Sequence, residues 1–395
     1  MKRWLVGIGV GLAFVVGVTV VLFLWATRNP SVDAFYDPPD DLSAPPGTIL
    51  RSEPFDRGIP PGSRGWKVLY TSTDPDGDPI AVSGLVIAPA DPPPGPRPVL
   101  AWSHGTLGIA RPCAPSISDE PLAGTPDMAG PLAQGWVLTL TDYPGLGTPS
   151  PHPYLVGESE GRAVLDSVRA AHLLDTGIEL EDRYAIWGHS QGGHAALFAG
   201  QLAVSYLPEY PLVGVAALAP ATTLQNNLGA IERRELGNVL TIFTVQSWID
   251  VYPDIPDGTL TSRARGPAER IARACLNQPS RFRIVINGLT LPDTIVAVDP
   301  TTDPVWTARL DQNTPDPGGI ASPLFIAQGL IDEIIVAHVT AAWTTARCDA
   351  GAPTQWKAYP ATGHLEVVEP GGADALAWTI DRFDASAPPN ACPTE

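Results

Sequence analysis

The chain has 395 residues, of which 44% are hydrophobic and 17% charged, and a formal net charge of −18. This is a globular composition with enough length for one large α/β domain and an insertion, which excludes a disordered or repetitive protein. The acid excess makes duplex nucleic acid and anionic lipid headgroups poor partners by simple electrostatics, and no basic run offsets it.

In chain order, Lys2 and Arg3 precede an uncharged stretch from Trp4 to Ala26, longer than the roughly 20 residues needed to span a bilayer. The basic pair places the N-terminus in the cytoplasm and the remainder outside. A cleaved signal would have a shorter apolar region and a small-x-small site, and Leu24-Trp25-Ala26 is a poor one. An uncleaved signal anchor over residues 1–26 is therefore preferred to a cleaved signal. Both predict export, with the protein extracellular or held on the outer face of the cytoplasmic membrane. Residues 27–61 are rich in Pro, Asp and Ser and read as a tether, leaving 62–395 for the folded domain.

Trp66 to Tyr70 and Ile80 to Ala88 predict two strands joined by the turn Asp74-Pro75-Asp76-Gly77-Asp78. Arg97 to Ser103, Gly135 to Thr141, Arg183 to Trp187 and Leu212 to Leu218 are short apolar runs, as is Pro323 to Gln328, and Thr354 to Tyr359 reads as a last strand. Helical spacing falls between them, as in Ala163, Val164, Val168 and Ala171, and again over 195–206, 335–346 and 374–383. Continuous apolar strands alternating with helices predict a mostly parallel sheet with helices on both faces, whose ligands bind beyond the strands' carboxyl ends. The alternation fails over about 221–319, where helical stretches at 236–248 and 267–275 predict a cap inserted over that edge. Its bulky stretch Leu236 to Trp248 could wall an apolar pocket, with Phe243 as a lining position, or pack the cap's own core.

Gly188-His189-Ser190-Gln191-Gly192 is a G-x-S-x-G between an apolar strand and a helix of small residues, the context of a nucleophile elbow in an α/β-hydrolase fold. A serine hydroxyl needs a base and a group to orient that base. In this fold the acid and the histidine follow in chain order, each after a strand. Asp332, in Gly329-Leu330-Ile331-Asp332, and His364, in Gly363-His364, hold those positions; Glu333, Asp303 and Asp311 are rivals to the acid. Oxyanion donors are expected from the N–H of Gln191 and from the loop His104-Gly105-Thr106, with Thr106 first and Gly105 second. His104, His189 and His194 read as packing or hydrogen-bonding residues. Asp142 fixes the turn Asp142-Tyr143-Pro144-Gly145, or else Asp142 or Tyr143 lines a pocket. Cys113, Cys275, Cys348 and Cys392 form an even set suited to an oxidising compartment, with three possible pairings and no zinc spacing. No metal or cofactor is called for.

Asp142 to Pro149 (DYPGLGTP), Tyr154-Leu155-Val156-Gly157, Cys113-Ala114-Pro115-Ser116, Gly188 to Gly193, Asn313-Thr314-Pro315, Gly329 to Asp332 and Gly363-His364 form a specific set. With it the chain resembles the secretory lipases of the yeast lipase A type, over about Gly47 to Phe383. The resemblance implies ester hydrolysis of the lipase kind on ester or lipid substrates, and Ser190, Asp332 and His364 as the triad. It also implies a cap before the acid and disulfides Cys113–Cys275 and Cys348–Cys392. The long N-terminal apolar stretch and the His-Gly-Thr loop depart from the family pattern. A serine peptidase or acyltransferase on the same fold is the rival enzyme, and a non-catalytic envelope binding module the rival outside enzymes.

Overall fold

The computed structural model describes residues 25–226 and 235–393. The expected anchor or signal over 1–26 lies outside the described residues, apart from Trp25 and Ala26. No helix among the described residues is long and apolar enough to cross a membrane.

A nine-stranded sheet runs in the order β1-β2-β3-β5-β4-β6-β7-β8-β9. Its first strands, β1 (Ile49–Phe55), β2 (Ser63–Thr73) and β3 (Pro79–Pro89), are antiparallel. The remaining strands, β4 (Arg97–Ser103), β5 (Val137–Thr141), β6 (Leu180–His189), β7 (Leu212–Leu218), β8 (Leu324–Gly329) and β9 (Thr354–Tyr359), are parallel to one another. The described helices are α1 (Ala129–Ala133), α2 (Gly157–Leu173), α3 (Gln191–Tyr206), α4 (Glu235–Val251), α5 (Ser262–Ala272), α6 (Arg281–Gly288), α7 (Pro304–Gln312), α8 (Ala337–Asp349) and α9 (Val368–Phe383).

Strands β5 and β8 are buried at every residue, because crossover helices cover both faces of a parallel sheet. Ala163, Val164, Ala195 and Trp343 bring α2, α3 and α8 onto one face. Leu132, Ala375 and Trp378 bring α1 and α9 onto the other. Each fully buried Val, Leu or Ile contributes about 1.5–3 kcal/mol relative to its exposed state. The architecture is the α/β-hydrolase fold.

The tether expected over 27–61 is corrected. Phe35 and Tyr36 are buried, and Ile49–Phe55 is the edge strand of the sheet, in register with Gly65 to Tyr70. Lys67 Nζ lies 4.1 Å from the centre of the Phe35 ring and 2.7 Å from Glu53 Oε1, so β2 clamps both pieces of this segment. Its prolines and aspartates serve turns within the domain rather than a solvated linker.

Between β7 and β8, helices α4 to α7 enclose a core of their own, with Phe243, Trp248, Ile271, Trp306 and Leu310 at its centre. Trp248 and Trp306 stack with ring centres 5.3 Å apart. The bond Cys113–Cys275 ties this unit to the loop after β4, and Cys348–Cys392 ties the C-terminal segment to α8.

Candidate active site

Strand β6 ends at His189, and helix α3 begins at Gln191, so the chain must turn within one residue. Ser190 makes that turn at φ 59° and ψ −118°, a conformation that costs a residue with a side chain of order 1–3 kcal/mol and persists only where its surroundings fix it. A Cβ on Gly192 would sit 1.9 Å from the Ser103 carbonyl oxygen, and one on Gly188 would sit 2.0 Å from that of Gly192. Those positions admit glycine alone. The Ser190 N–H donates to the Leu218 carbonyl at 3.0 Å, tying the turn to β7.

The loops after β8 and β9 are bonded to each other: Leu330 N–H donates to the Tyr359 carbonyl and Ile331 N–H to that of Thr362. They present Asp332 and His364 side by side. His364 Nδ1 is 2.7 Å from Asp332 Oδ2, and His364 Nε2 is 2.8 Å from Ser190 Oγ. Asp332 Oδ1 accepts from the N–H groups of Ile334 and Ile335, both at 2.8 Å, which fixes the carboxylate plane. Its rivals do other work. Asp303 caps α7 by accepting from Val305 and Trp306 N–H, while Glu333 and Asp311 are exposed.

Gln191 and Thr106 line one slot together with Ser190. As the first helical residue, Gln191 has an N–H with no intrahelical acceptor. Thr106 Oγ1 is 2.9 Å from the Tyr154 hydroxyl, which braces its loop. A Cβ on Gly105 would stand 3.7 Å from that of Ser190, so this loop passes directly over the elbow. Leu155, Leu224, Leu240, Leu310, Ile334 and Ile335 make most of the remaining lining apolar, and the slot encloses only about 40 Å³. Beyond His364 it adjoins an open groove of about 820 Å³, to which Leu240 also contributes. Phe243 points instead into the cap's own core, fully buried. The expectation of a lining role is corrected there: the pocket face of α4 carries Leu240 and Thr244.

The other histidines are scaffolding. His189 Nε2 bonds the His364 carbonyl at 2.9 Å, and burial pushes its pKa down to about 3. His104 Nδ1 lies 2.7 Å from the Gly105 carbonyl and Nε2 3.3 Å from that of Asp142, so the neutral ring donates to one of them, and burial pushes its pKa down to about 4. His194 Nε2 bonds the Asn313 carbonyl. Asp142 is fully buried and accepts from Ser83 Oγ and from Ser116 N–H and Oγ; it fixes the turn rather than lining a pocket, and Tyr143 is likewise buried.

Glu160 was not among the residues expected here. It is fully buried on α2 and accepts from Gln191 Nε2 at 2.6 Å and from Leu155 N–H at 3.0 Å, with His194 Nδ1 3.6 Å away. Burial raises its pKa. The available signal was a carboxylate on the same helical face as Val156, Ala163 and Val164. Among the described residues no group of three or more His, Cys, Asp or Glu side chains converges as a metal site would.

This sheet order with a serine elbow under a helical cap defines an α/β-hydrolase. The sequence model of the secretory lipase family matches residues 125–390, and the chain belongs to that family. It is 25% identical to Lipase A of Moesziomyces aphidis, with 93% of this chain and 83% of the relative covered. To Lipase 5 of Candida albicans it is 28% identical, with 92% and 83% covered. The solved structure of Candida antarctica lipase A in its closed state superposes with a TM-score of 0.78 at 22% identity, covering 93% of this chain and 91% of that one. Membership of this family makes the chain a carboxylic ester hydrolase and agrees with the expected export.

Proposed function

We propose that the enzyme hydrolyses esters with apolar acyl groups through an acyl-enzyme on Ser190. The observation that carries this is the hydrogen-bonded chain from Ser190 Oγ through His364 to the buried Asp332. His364 Nε2 takes the hydroxyl proton as Oγ attacks the ester carbonyl carbon. The negative oxygen that results faces the N–H groups of Gln191 and Thr106. His364 then returns the proton to the leaving alcohol, and a water attacks the acyl carbon by the same route. Asp332 holds the imidazole with its proton on Nδ1 and stabilises the cation that forms. The apolar slot receives the acyl chain, and the open groove accommodates the alcohol part. A carboxylate-bearing or strongly polar acyl group would lose its hydration there without replacement.

Labelling with a fluorophosphonate followed by peptide mapping tests the nucleophile. Ser190 carries the label, and Ser190→Ala and His364→Ala each lose nearly all turnover of p-nitrophenyl butyrate while remaining folded. A label on another serine would overturn the assignment. The same screen separates a peptidase or acyltransferase, which would turn over peptides or transfer acyl groups to an acceptor in preference to water.

We infer further that residues 4–26 hold the domain on the outer face of a membrane. Sequencing the mature N-terminus decides it, since a chain beginning near Thr27 would defeat the anchor.

A further inference from the structure

Helix α6 turns its apolar side outward. Phe282, Val285, Ile286 and Leu289 recur at i, i+3, i+4 and i+7, the spacing of one helical stripe. All are exposed, Val285 at 62% and Leu289 at 79%, while Ile284 faces the cap core at 6%. A surface helix of a water-bathed protein shows the opposite arrangement.

The N-terminal apolar stretch ends at this same place. Trp25 is 70% exposed. Thr27 Oγ1 accepts from Arg283 Nε of α6 at 3.3 Å, and Asn29 Nδ2 donates to the Arg273 carbonyl at 2.6 Å. The chain segment that carries the stripe is also basic, and Arg270 reaches α6 through Asn287 Oδ1. From Ser262 to Leu289 the chain holds Arg263, Arg265, Arg270, Arg273, Arg281 and Arg283 against the single acid Glu269, a net +5 within a chain of −18. Over a Debye length of about 8 Å a lipid surface meets that cluster and not the molecular total. The molecule-wide argument against anionic headgroups therefore does not hold at this face.

We propose that α6 and Trp25 form a docking face that lies in the headgroup–acyl boundary of an anionic bilayer. The apolar stripe enters the boundary and the arginines contact the phosphates. An amphipathic helix with a basic rim binds lipid in this way, and an aromatic residue marks the interface. The proposal rests on the anchor for what delivers the domain to the membrane, while the face itself fixes the orientation in which the domain sits. Each arginine that contacts the surface strengthens the association about fivefold.

The test uses the full chain with Val285→Cys carrying a polarity-sensitive fluorophore. The native cysteines are all in disulfides, so the label is unique. Val204→Cys, on the exposed side of α3, is the control. In vesicles of phosphatidylcholine and phosphatidylglycerol, the label at 285 shifts to the blue and is quenched by nitroxide lipids, while the label at 204 stays in water. Omitting phosphatidylglycerol weakens the quenching several-fold. A label at 285 as wet as that at 204 in membrane-inserted protein overturns the docking face and leaves the anchor standing. A blue shift without lipid and without lipid quenching overturns it too, because residues 1–24 or a second copy then cover the stripe. Quenching that ignores phosphatidylglycerol overturns the role of the arginines. If N-terminal sequencing finds cleavage near Thr27, the anchor fails, and the cleaved chain added to the same vesicles decides the face alone: quenching at 285 upholds it, and none overturns it.

Discussion

At Gln191 two jobs meet in one residue: its N–H is the proposed oxyanion donor, and its side chain is bound from behind by Glu160. The buried Glu160 carboxyl reaches Gln191 Nε2 at 2.6 Å and the loop N–H of Leu155 at 3.0 Å, so it couples the start of α3 to the loop that also carries Tyr154. Tyr154 in turn braces Thr106, the other expected oxyanion donor. Glu160 thus braces both proposed donors and does not itself line the slot. Glu160→Leu keeps most of the volume but removes the single oxygen, Oε1, that accepts from both Gln191 Nε2 and Leu155 N–H, so both buried donors lose their partner. Loss of a whole oxyanion donor costs about 2.7–4 kcal/mol, so a displaced one is expected to lower kcat about tenfold with KM little changed. Steady-state kinetics on p-nitrophenyl butyrate checks this; a rise in KM at constant kcat would assign Glu160 to the substrate slot. Ser190, Asp332 and His364 were legible because each follows an apolar strand in a fixed order. Glu160 was not, since its partner lies 31 residues away on another helix and a carboxylate next to glycine and serine resembles a solvated helix start.

At the scale of elements, the cap divides its labour by helical face. One face of α4 offers Leu240 and Thr244 to the slot, and another buries Phe243 against the cap core, where its ring meets Tyr154 edge-on at 6.2 Å. Phe243→Ala is therefore expected to destabilise the fold by about 3–5 kcal/mol and leave the preference among acyl lengths unchanged. Leu240→Ala does the reverse: it enlarges a slot of about 40 Å³ and moves the optimum toward longer chains, with acetate esters least affected. Comparing kcat/KM from acetate to palmitate, beside urea midpoints for both variants, separates the roles. The bulky run at 236–248 was visible in the sequence, but which of its side chains faced the slot was not, because apolar residues surround this helix with no single stripe. Strands β4 and β7 were read with their true bounds from short apolar runs, and β9 (TQWKAY) as the last strand of the alternation. Strand β1 escaped because an edge strand is half solvated: ILRSEPF has neither a continuous apolar run nor clean alternation, and its Pro54 argued for a loop.

For the molecule as a whole, length and rhythm identified the fold, and an even cysteine count announced the two disulfides. The 44-residue separation of Cys348 and Cys392 corresponds to about 4 kcal/mol of denatured-state entropy. The set of buried titratable groups could not be read from the sequence, since burial depends on contacts far along the chain. His104 is lowered to about 4, and His152 and His189 to about 3, all chiefly by burial. An unfolded histidine takes up a proton near pH 6.5 while these stay neutral, so acidification below 6.5 favours the unfolded chain through each of them. Burial has the opposite effect on carboxyls. Asp166 is raised to about 6, and Glu160 and Asp142 are raised as well. They bind protons in the folded state first, so acidification through their range favours the fold. The acid stability of the whole enzyme is thus a difference between opposing sets, and one group is isolated best by comparison. His189→Gln can still donate to the His364 carbonyl but cannot titrate. Between pH 7 and pH 5 the parent should lose about 2 kcal/mol more stability than this variant, the share of one histidine held neutral over about 1.5 pH units. Urea unfolding at both pH values, with disulfides intact, measures the difference. Equal losses would mean that His189 takes up its proton in the folded state.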